Sequence, residues 1–595
     1  MHAWLKKRPD WPCLGLLALA SAATLLPLVG GPPMGDHECL HAQVSRQMLQ
    51  SGNWLIPHYG QAIYANKPPL KSWLTAALAG LLEPRSDAPV TAFTARLPSA
   101  VAGLLTVLLI WRLGSSMFGR RIGLIGGFVS ASSVGLLFYA ANATMEMLTT
   151  CLCTWAFAEF WWAIHASSRI RRRLHLAMFW LAMGLAALAK GPVPLAMVAL
   201  PLAVWWFANR PLRLALAGHW NWRLAGATFS RQVLAGLTRL WLLPGLGVFV
   251  AVFGWWAWLM YRNQPGVIWI WKAQFLNRAT SQFLHSKPGQ YWYYLPLVFA
   301  FCLPWLLSVP EAVASPFLKR YRRWRVRLLY PWFWWAVGLA AISLGVAFKR
   351  PHYLLPTVGG MSLLLAVVLA RLFDPALVVS RRRASLAVAL IMSALAVAVV
   401  AASLWARINL PEAVVPVVLI GTFGLLGFGL AGLAYLLGRA NASFGLIPVT
   451  ALGVWLSGWL WLGPKLAPID EPLALIERLA ASRIDQRYQL YWVDRRPDAR
   501  VVFYGHRPIR YLITPLQIES SLKGQPREIS DLRFQAAKRA KELLASRQPL
   551  CLIMRASTWG MFKNVLRLDG QLVLQLDQFS SDPDKALVVV TNQLP

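Results

Sequence analysis

Negative charge is scarce in this 595-residue chain: 24 Asp and Glu stand against 59 Lys and Arg, for a formal net charge of +35. Fourteen of the 24 lie after residue 464, which leaves ten before it: Asp10, Asp36, Glu38, Glu83, Asp87, Glu146, Glu159, Glu311, Asp374 and Glu412. Cysteine is rare as well. None of the six has zinc-ligand spacing, and Cys151-x-Cys153 falls inside an apolar run, where packing explains it. Only Cys39 and Cys551 fall in segments expected outside the membrane, where one disulfide stays open. What the chain has in abundance is apolar surface: 57% hydrophobic residues, 31 Trp, and runs of about 20 apolar residues along most of its length. That excludes a soluble protein and defines a polytopic helical membrane protein. The basic excess could suggest nucleic acid, but it comes in short blocks between apolar runs, so membrane topology and anionic lipid headgroups explain it better.

Those blocks orient the chain. They occur at the N terminus (Lys6, Lys7, Arg8), at 112–121, at 168–175, at 210–239, at 319–327 and at 380–383, each two apolar runs from the next, which assigns them to the cytoplasmic side. Thirteen spans are predicted, near 12–31, 94–111, 122–140, 148–165, 176–190, 193–208, 241–260, 292–309, 330–347, 353–371, 385–405, 413–437 and 445–463. An odd number leaves the N terminus inside and the tail outside. The first span, which a signal peptide would resemble, is expected to be retained as an anchor for the segment that follows it.

That segment, Gly35 to Leu74 within an outer loop at 32–93, concentrates Asp36, His37, Glu38, Arg46, Tyr64, Lys67 and Lys71 beside a membrane span, where ionisable groups are costly. Asp36 can cap a helix over about 37–50, whose Leu40, Val44 and Met48 make one apolar face suited to the bilayer interface. Gly52-Asn53 ends the helix, Trp54 reads as an interfacial anchor, and Lys67-Pro68-Pro69 forces an extended stretch. Taken singly, Asp36 could be only a cap, Lys67 only a snorkelling lysine and Tyr64 only an interface aromatic. Together they outline a folded loop on the membrane that carries charge. Glu83 and Asp87 occupy a proline-bounded turn that reads as solvated.

Further outward stretches carry polar groups. Glu146 falls at the outer end of the third span and Lys190 at the end of the fifth, before a Gly-Pro break. Arg278, His285 and Lys287 precede an aromatic cluster at 291–294, and Lys349, Arg350, His352 and Tyr353 join the ninth and tenth spans. After residue 464 the texture changes to strand-length runs (488–493, 501–504, 550–554, 572–576, 586–591) around a charged helix at about 531–546. This predicts a soluble α/β domain at 465–595 behind a membrane domain at 1–464. It has no glycine-rich phosphate loop and no nucleophile elbow, so a supporting or docking role is assigned to it.

Cations on one membrane face suit a polyprenyl phosphate head, because they hold its charge and stabilise it further as a leaving group. A nearby carboxylate could remove a proton from an acceptor hydroxyl. Group transfer from a lipid-linked donor follows.

The stretches DHE…SRQMLQSGNWLIP…IYANKPPLKSWL, ARLPSAVAGLLTVLL at 95–109, ALAKGPV at 187–193, YWYYLP at 291–296 and KRPHYLLP at 349–356 resemble, in order over most of 12–370, the bacterial membrane glycosyltransferases of the aminoarabinose transferase and protein O-mannosyltransferase superfamily. That resemblance implies GT-C architecture, with an outer C-terminal domain. It also implies inverting transfer of a sugar from a polyprenyl-phosphate donor to a lipid, glycan or protein acceptor on the outer face of the inner membrane. It sets Glu38 and His37 on the family's adjacent acidic pair, displaces Asp36 by one position, and sets Leu40 on an arginine. Glu146-Met147 stands for a usual Asp-Met. Tyr64 and Lys67 match residues that approach the donor phosphate, and Lys349, His352 and Tyr353 fall in a second phosphate-binding loop. The expected roles are Asp36 or Glu38 as base and Glu146 positioning substrate or a divalent metal, whose requirement stays open. Lys67, Lys349, Arg350 and Arg278 would hold phosphate, with Tyr64, Lys190, His285, His352 and Tyr353 lining the substrate. Expected partners are the polyprenyl-phosphate sugar, membrane lipids and the acceptor, and not nucleic acid. The rival readings are a flippase for lipid-linked glycans, against which the one-sided charge and lack of an inverted repeat argue, and a non-catalytic envelope assembly protein.

Overall fold

The computed structural model describes residues 11–60, 62–84, 89–216, 240–272, 291–345, 349–374, 381–466, 488–493, 499–505, 509–512, 526–546, 548–555, 557–560, 562 and 587–592. The chain divides into two compact units. One comprises Met1–Gly31, Lys67–Lys71 and Arg96–Gly463, and the other Pro32–Asn66, Ser72–Ala95 and Pro464–Pro595.

The first unit is helical. Among the described residues ten helices are long and apolar enough to cross a membrane, or eleven if a bent pair, α5 (Arg120–Ser132) and α6 (Val134–Ala140), is one span. The other two predicted spans are a shorter apolar helix, Leu195–Asn209, and the stretch 292–309, in which the helix Tyr294–Phe301 gives way to turns. The 60° bend between α5 and α6 has a local cause. Ser133 adopts extended backbone, the hydroxyls of Ser130, Ser132 and Ser133 bond back to the carbonyls of Gly127, Phe128 and Val129, and the Val134 N–H turns to the Leu303 carbonyl at 3.1 Å.

Small residues let helices approach closely. A Cβ on Gly123 would lie 2.1 Å from the Ser115 Oγ and 2.6 Å from the Trp111 carbonyl, so only glycine permits α5 to lie this close to α4 (Ala92–Phe118). The core is aromatic. Phe157 stacks on Trp334 with centroids 4.0 Å apart, the Tyr330 hydroxyl donates to the Phe157 carbonyl, and the Trp334 indole donates to the Pro356 carbonyl at 2.7 Å. That last bond ties the short 3-10 helix Pro351–Thr357 to the core.

The second unit combines most of the segment 32–95 with the tail. Helix α2 (Asp36–Ser51) leads to a two-stranded hairpin, β1 (His58–Tyr59) with β2 (Ala62–Ile63), and helix α3 (Leu70–Leu82) enters the unit from Ser72. In the tail, strands β3 (Gln489–Trp492), β4 (Ile509–Tyr511), β5 (Leu550–Arg555) and β6 (Leu587–Thr591) form one sheet in the order β4-β3-β5-β6, with β3 parallel to β4 and β5, and β6 antiparallel to β5. The helix Pro526–Leu544 packs Ala536, Ala537, Ala540 and Leu544 against Leu550, Leu552, Met554 and Val590.

Three local expectations are corrected here. The stretch 501–504 is part of a helix, Ala499–Tyr504, and not a strand. Its β-branched and aromatic residues favour a strand, and its contacts with α2 override that preference. The apolar face of α2 is covered by protein and not by lipid: Leu40, Val44 and Met48 are buried, and α2 packs on β1 and on Ala499–Tyr504. None of the six cysteines is in a disulfide, so Cys39 and Cys551 are not bridged.

Candidate active site

Helices α7 (Met145–Ile164) and α8 (Arg169–Lys190) form an antiparallel hairpin, so the first turn of α7 lies level with the last turn of α8. Glu146 sits in that first turn and Lys190 ends α8, each where the helix dipole favours its charge. Gly191, at φ +73°, terminates α8 and returns its N–H to the Ala187 carbonyl, a conformation that glycine adopts without strain. The entry to α7 is pinned by the Ser99 hydroxyl, which donates to the Thr144 carbonyl at 3.0 Å.

Glu146 and Lys190 are 3% and 6% exposed and form a direct ion pair. Snorkelling to water therefore does not describe Lys190. The other Glu146 oxygen, Oε1, lies 3.3 Å from Nε2 of His352. Lys190 Nζ also lies 5.3 Å from the centre of the Tyr353 ring, and the His352 ring meets Tyr353 and Tyr139 edge to face at 4.8 and 6.3 Å. Burial and mutual pairing make this a charge cluster whose members are fixed by one another, a property of sites that handle charge.

The neighbouring Lys349 and Arg350 are organised by Tyr294. The Arg350 N–H donates to the Tyr294 hydroxyl at 3.3 Å, and Lys349 Nζ lies 5.9 Å over the Tyr294 ring. Lys349 also donates to the carbonyls of Ile342 and Ser343, which end the helix Arg325–Gly345, and burial lowers its pKa. It thus caps a helix as well as supplying charge. The Arg350 side chain is exposed.

In the other unit, Asp36 and Glu38 sit at helix starts. Asp36 does not cap α2. The N-cap of α2 is Gly35, whose N–H donates to Glu38 Oε2 at 3.0 Å. Asp36 Oδ1 instead accepts the Ala499 N–H at 2.8 Å, at the start of Ala499–Tyr504. Glu38 is buried, His37 and His41 meet edge to face at 4.9 Å, and Tyr64 lies 6.2 Å from His41. Glu83 is not simply solvated: its oxygens accept from the hydroxyls of Thr91 and Thr94 at 2.5 and 3.2 Å. Lys67 and Lys71, which belong to the first unit, are half-buried and buried.

The structure therefore gathers Glu146, Lys190, His352 and Tyr353 directly, and Lys349 with Arg350 around Tyr294. Arg278 and His285, with Lys287, lie outside the described residues. Tyr139 and Tyr294 were not among the sequence candidates. Both lie in apolar runs, where an aromatic reads as packing, and only the adjacency of Tyr294 to Tyr293 in the YWYYLP stretch hints at more. Among the described residues no three His, Cys, Asp or Glu side chains converge as metal ligands.

Fold and sequence together carry the resemblance to GT-C membrane glycosyltransferases of the aminoarabinose transferase and protein mannosyltransferase type. A family model for dolichyl-phosphate-mannose-protein mannosyltransferase matches residues 66–233. The undecaprenyl phosphate-alpha-4-amino-4-deoxy-L-arabinose arabinosyl transferase 2 of Proteus mirabilis is 27% identical over 362 residues, 59% of this chain and 58% of that protein. The corresponding transferase of Erwinia tasmaniensis is 25% identical over 496 residues, 80% and 82% of the two chains. Thus the chain spans under two thirds of the first relative and most of the second. Among solved structures, ArnT from Cupriavidus metallidurans bound to undecaprenyl phosphate shares the fold over 99% of both chains, with a TM-score of 0.74 at 21% identity.

Proposed function

We propose that this chain is an inverting glycosyltransferase of the cytoplasmic membrane that moves a sugar from a polyprenyl-phosphate donor to a lipid, glycan or protein acceptor. The observation that carries the reading is the buried Glu146–Lys190 ion pair, with half-buried His352 and Tyr353 beside it, in a fold shared with a protein that binds undecaprenyl phosphate. The relatives named as undecaprenyl phosphate-aminoarabinose arabinosyl transferases support the donor class.

In the proposed reaction the acceptor oxygen attacks the anomeric carbon as the bond from that carbon to the phosphate oxygen breaks. The phosphate keeps the electron pair, so cations that hold it stabilise the transition state more than the bound donor. Lys67, Arg350, Lys349 and Arg278 supply that charge. Glu38, on the family's acidic position, takes the acceptor proton, and Glu146 orients Lys190 and His352. Asp36 is assigned the cap of the Ala499–Tyr504 helix. Tyr64, His285 and Tyr353 line the substrate.

The same proposal keeps thirteen spans, a membrane domain at 1–464, and an outer α/β domain at 465–595. A reporter fused after Pro595 should be active outside and one near Arg323 inside, as the alternating arginine blocks require. Full-length protein in liposomes with a polyprenyl-phosphate sugar separates the main alternative. A transferase releases polyprenyl phosphate in step with sugar transfer, whereas a flippase moves the donor intact.

A further inference from the structure

The tail helix Ala499–Tyr504 is held by the first outer loop along its whole length, through bonds that span more than 450 residues of sequence. At its start, the Ala499 N–H donates to Asp36 Oδ1 at 2.8 Å. At its end, the Tyr504 hydroxyl accepts the Met34 N–H at 2.7 Å, and the Phe503 carbonyl accepts from Arg46 Nη1 at 2.9 Å. The Arg46 guanidinium also lies 4.0 Å over the Phe503 ring.

Arg46 is 4% exposed and joins three segments. Besides Phe503, it donates to Gln43 Oε1 within α2 at 3.3 Å and to the Val90 carbonyl at 2.9 Å, just before α4 begins. A planar, forked cation that stacks while it donates in two directions is a requirement lysine cannot meet. Burial lowers the Arg46 pKa to about 10, which still leaves it charged at neutral pH. A 16-residue helix such as α2 is marginal by itself, and its buried face of Leu40, Val44 and Met48 must be covered by something. The tail helix packs on α2.

We propose that the Ala499–Tyr504 helix sets the conformation of the first outer loop, with Arg46 as the positioning residue that locks Glu38 and its helix in place. The tail is then a working part of the transferase and not an appended docking module. The kinetic half of this inference rests on the proposed glycosyl transfer. Its structural half does not.

The test uses the full chain with two substitutions, Arg46→Lys and Phe503→Leu, the second removing the ring while keeping an apolar side chain. Hydrogen exchange should rise at least about tenfold in residues 36–51 while the helix Val358–Leu372 stays protected as in wild type. The turnover number should fall on the order of tenfold to a hundredfold, with the donor KM within about twofold, because a misplaced base slows chemistry without loosening the phosphate. Unchanged exchange in 36–51 with either variant overturns the proposal. So does a rise spread equally over both helices, which would make Arg46 a global stabiliser. Local loosening with unchanged turnover retains the contact but overturns the positioning role, and local loosening in a protein that shows no transfer at all leaves the structural half standing while refuting the proposed reaction.

Discussion

The carboxylates of α2 and the carboxylate at the head of α7 are held by different kinds of partner. Asp36 and Glu38 each accept a backbone N–H at the start of a helix, at Ala499 and Gly35. Glu146, at 3% exposure, is bound by two side-chain bases, Lys190 and His352. An amide replaces a carboxylate well in the first setting, because it accepts the same backbone hydrogen bond. In the second setting it removes the negative charge that balances a buried ammonium. The residue type therefore says little about function until the partner is known, and graded substitutions can tell the two settings apart.

The largest effect is expected at Glu146. Glu146→Ala leaves the Lys190 ammonium buried without its carboxylate, with a loss of about 3–5 kcal/mol in stability, measurable by the shift in thermal unfolding in detergent. Glu146→Gln should fold better yet lose turnover by roughly a hundredfold or more, and near-normal turnover would return the cluster to a packing role. Next comes Lys67→Ala, expected to weaken donor binding by about 1.5–3 kcal/mol, with Lys67→Arg retaining part of it. Unchanged donor affinity would make Lys67 a membrane-interface lysine only. Smaller again is Lys349→Ala. Since Lys349 donates to the carbonyls of Ile342 and Ser343, its loss should cost about 1 kcal/mol of stability and affect donor affinity less than Lys67→Ala does.

Much of this was legible in the sequence, for physical reasons that also mark where legibility ended. Apolar runs and arginine blocks report on the bilayer directly, so the helical membrane architecture follows from them. The level of Glu146 with Lys190 follows from a short-looped helical hairpin whose ends must meet. The pairing of His352 with Glu146 does not, because it depends on how the Pro351–Thr357 turn is anchored by Trp334. Likewise nothing in residues 499–504 announces a helix clasped by Asp36, Met34 and Arg46. The local sequence RVVFY favours a strand, and its partners lie more than 450 residues away. Asp36 looked like a cap for the helix that follows it and is a cap for a different one.

The most direct measurement is the turnover of Glu38→Gln beside Asp36→Asn in full-length protein, scored as polyprenyl phosphate released and normalised to folded protein. Glutamine and asparagine both keep the backbone hydrogen bonds, so each variant isolates loss of the proton acceptor. The account predicts that Glu38→Gln loses on the order of a hundredfold or more while Asp36→Asn stays within about twofold of wild type. Normal turnover in both variants, or the reverse order, would contradict it.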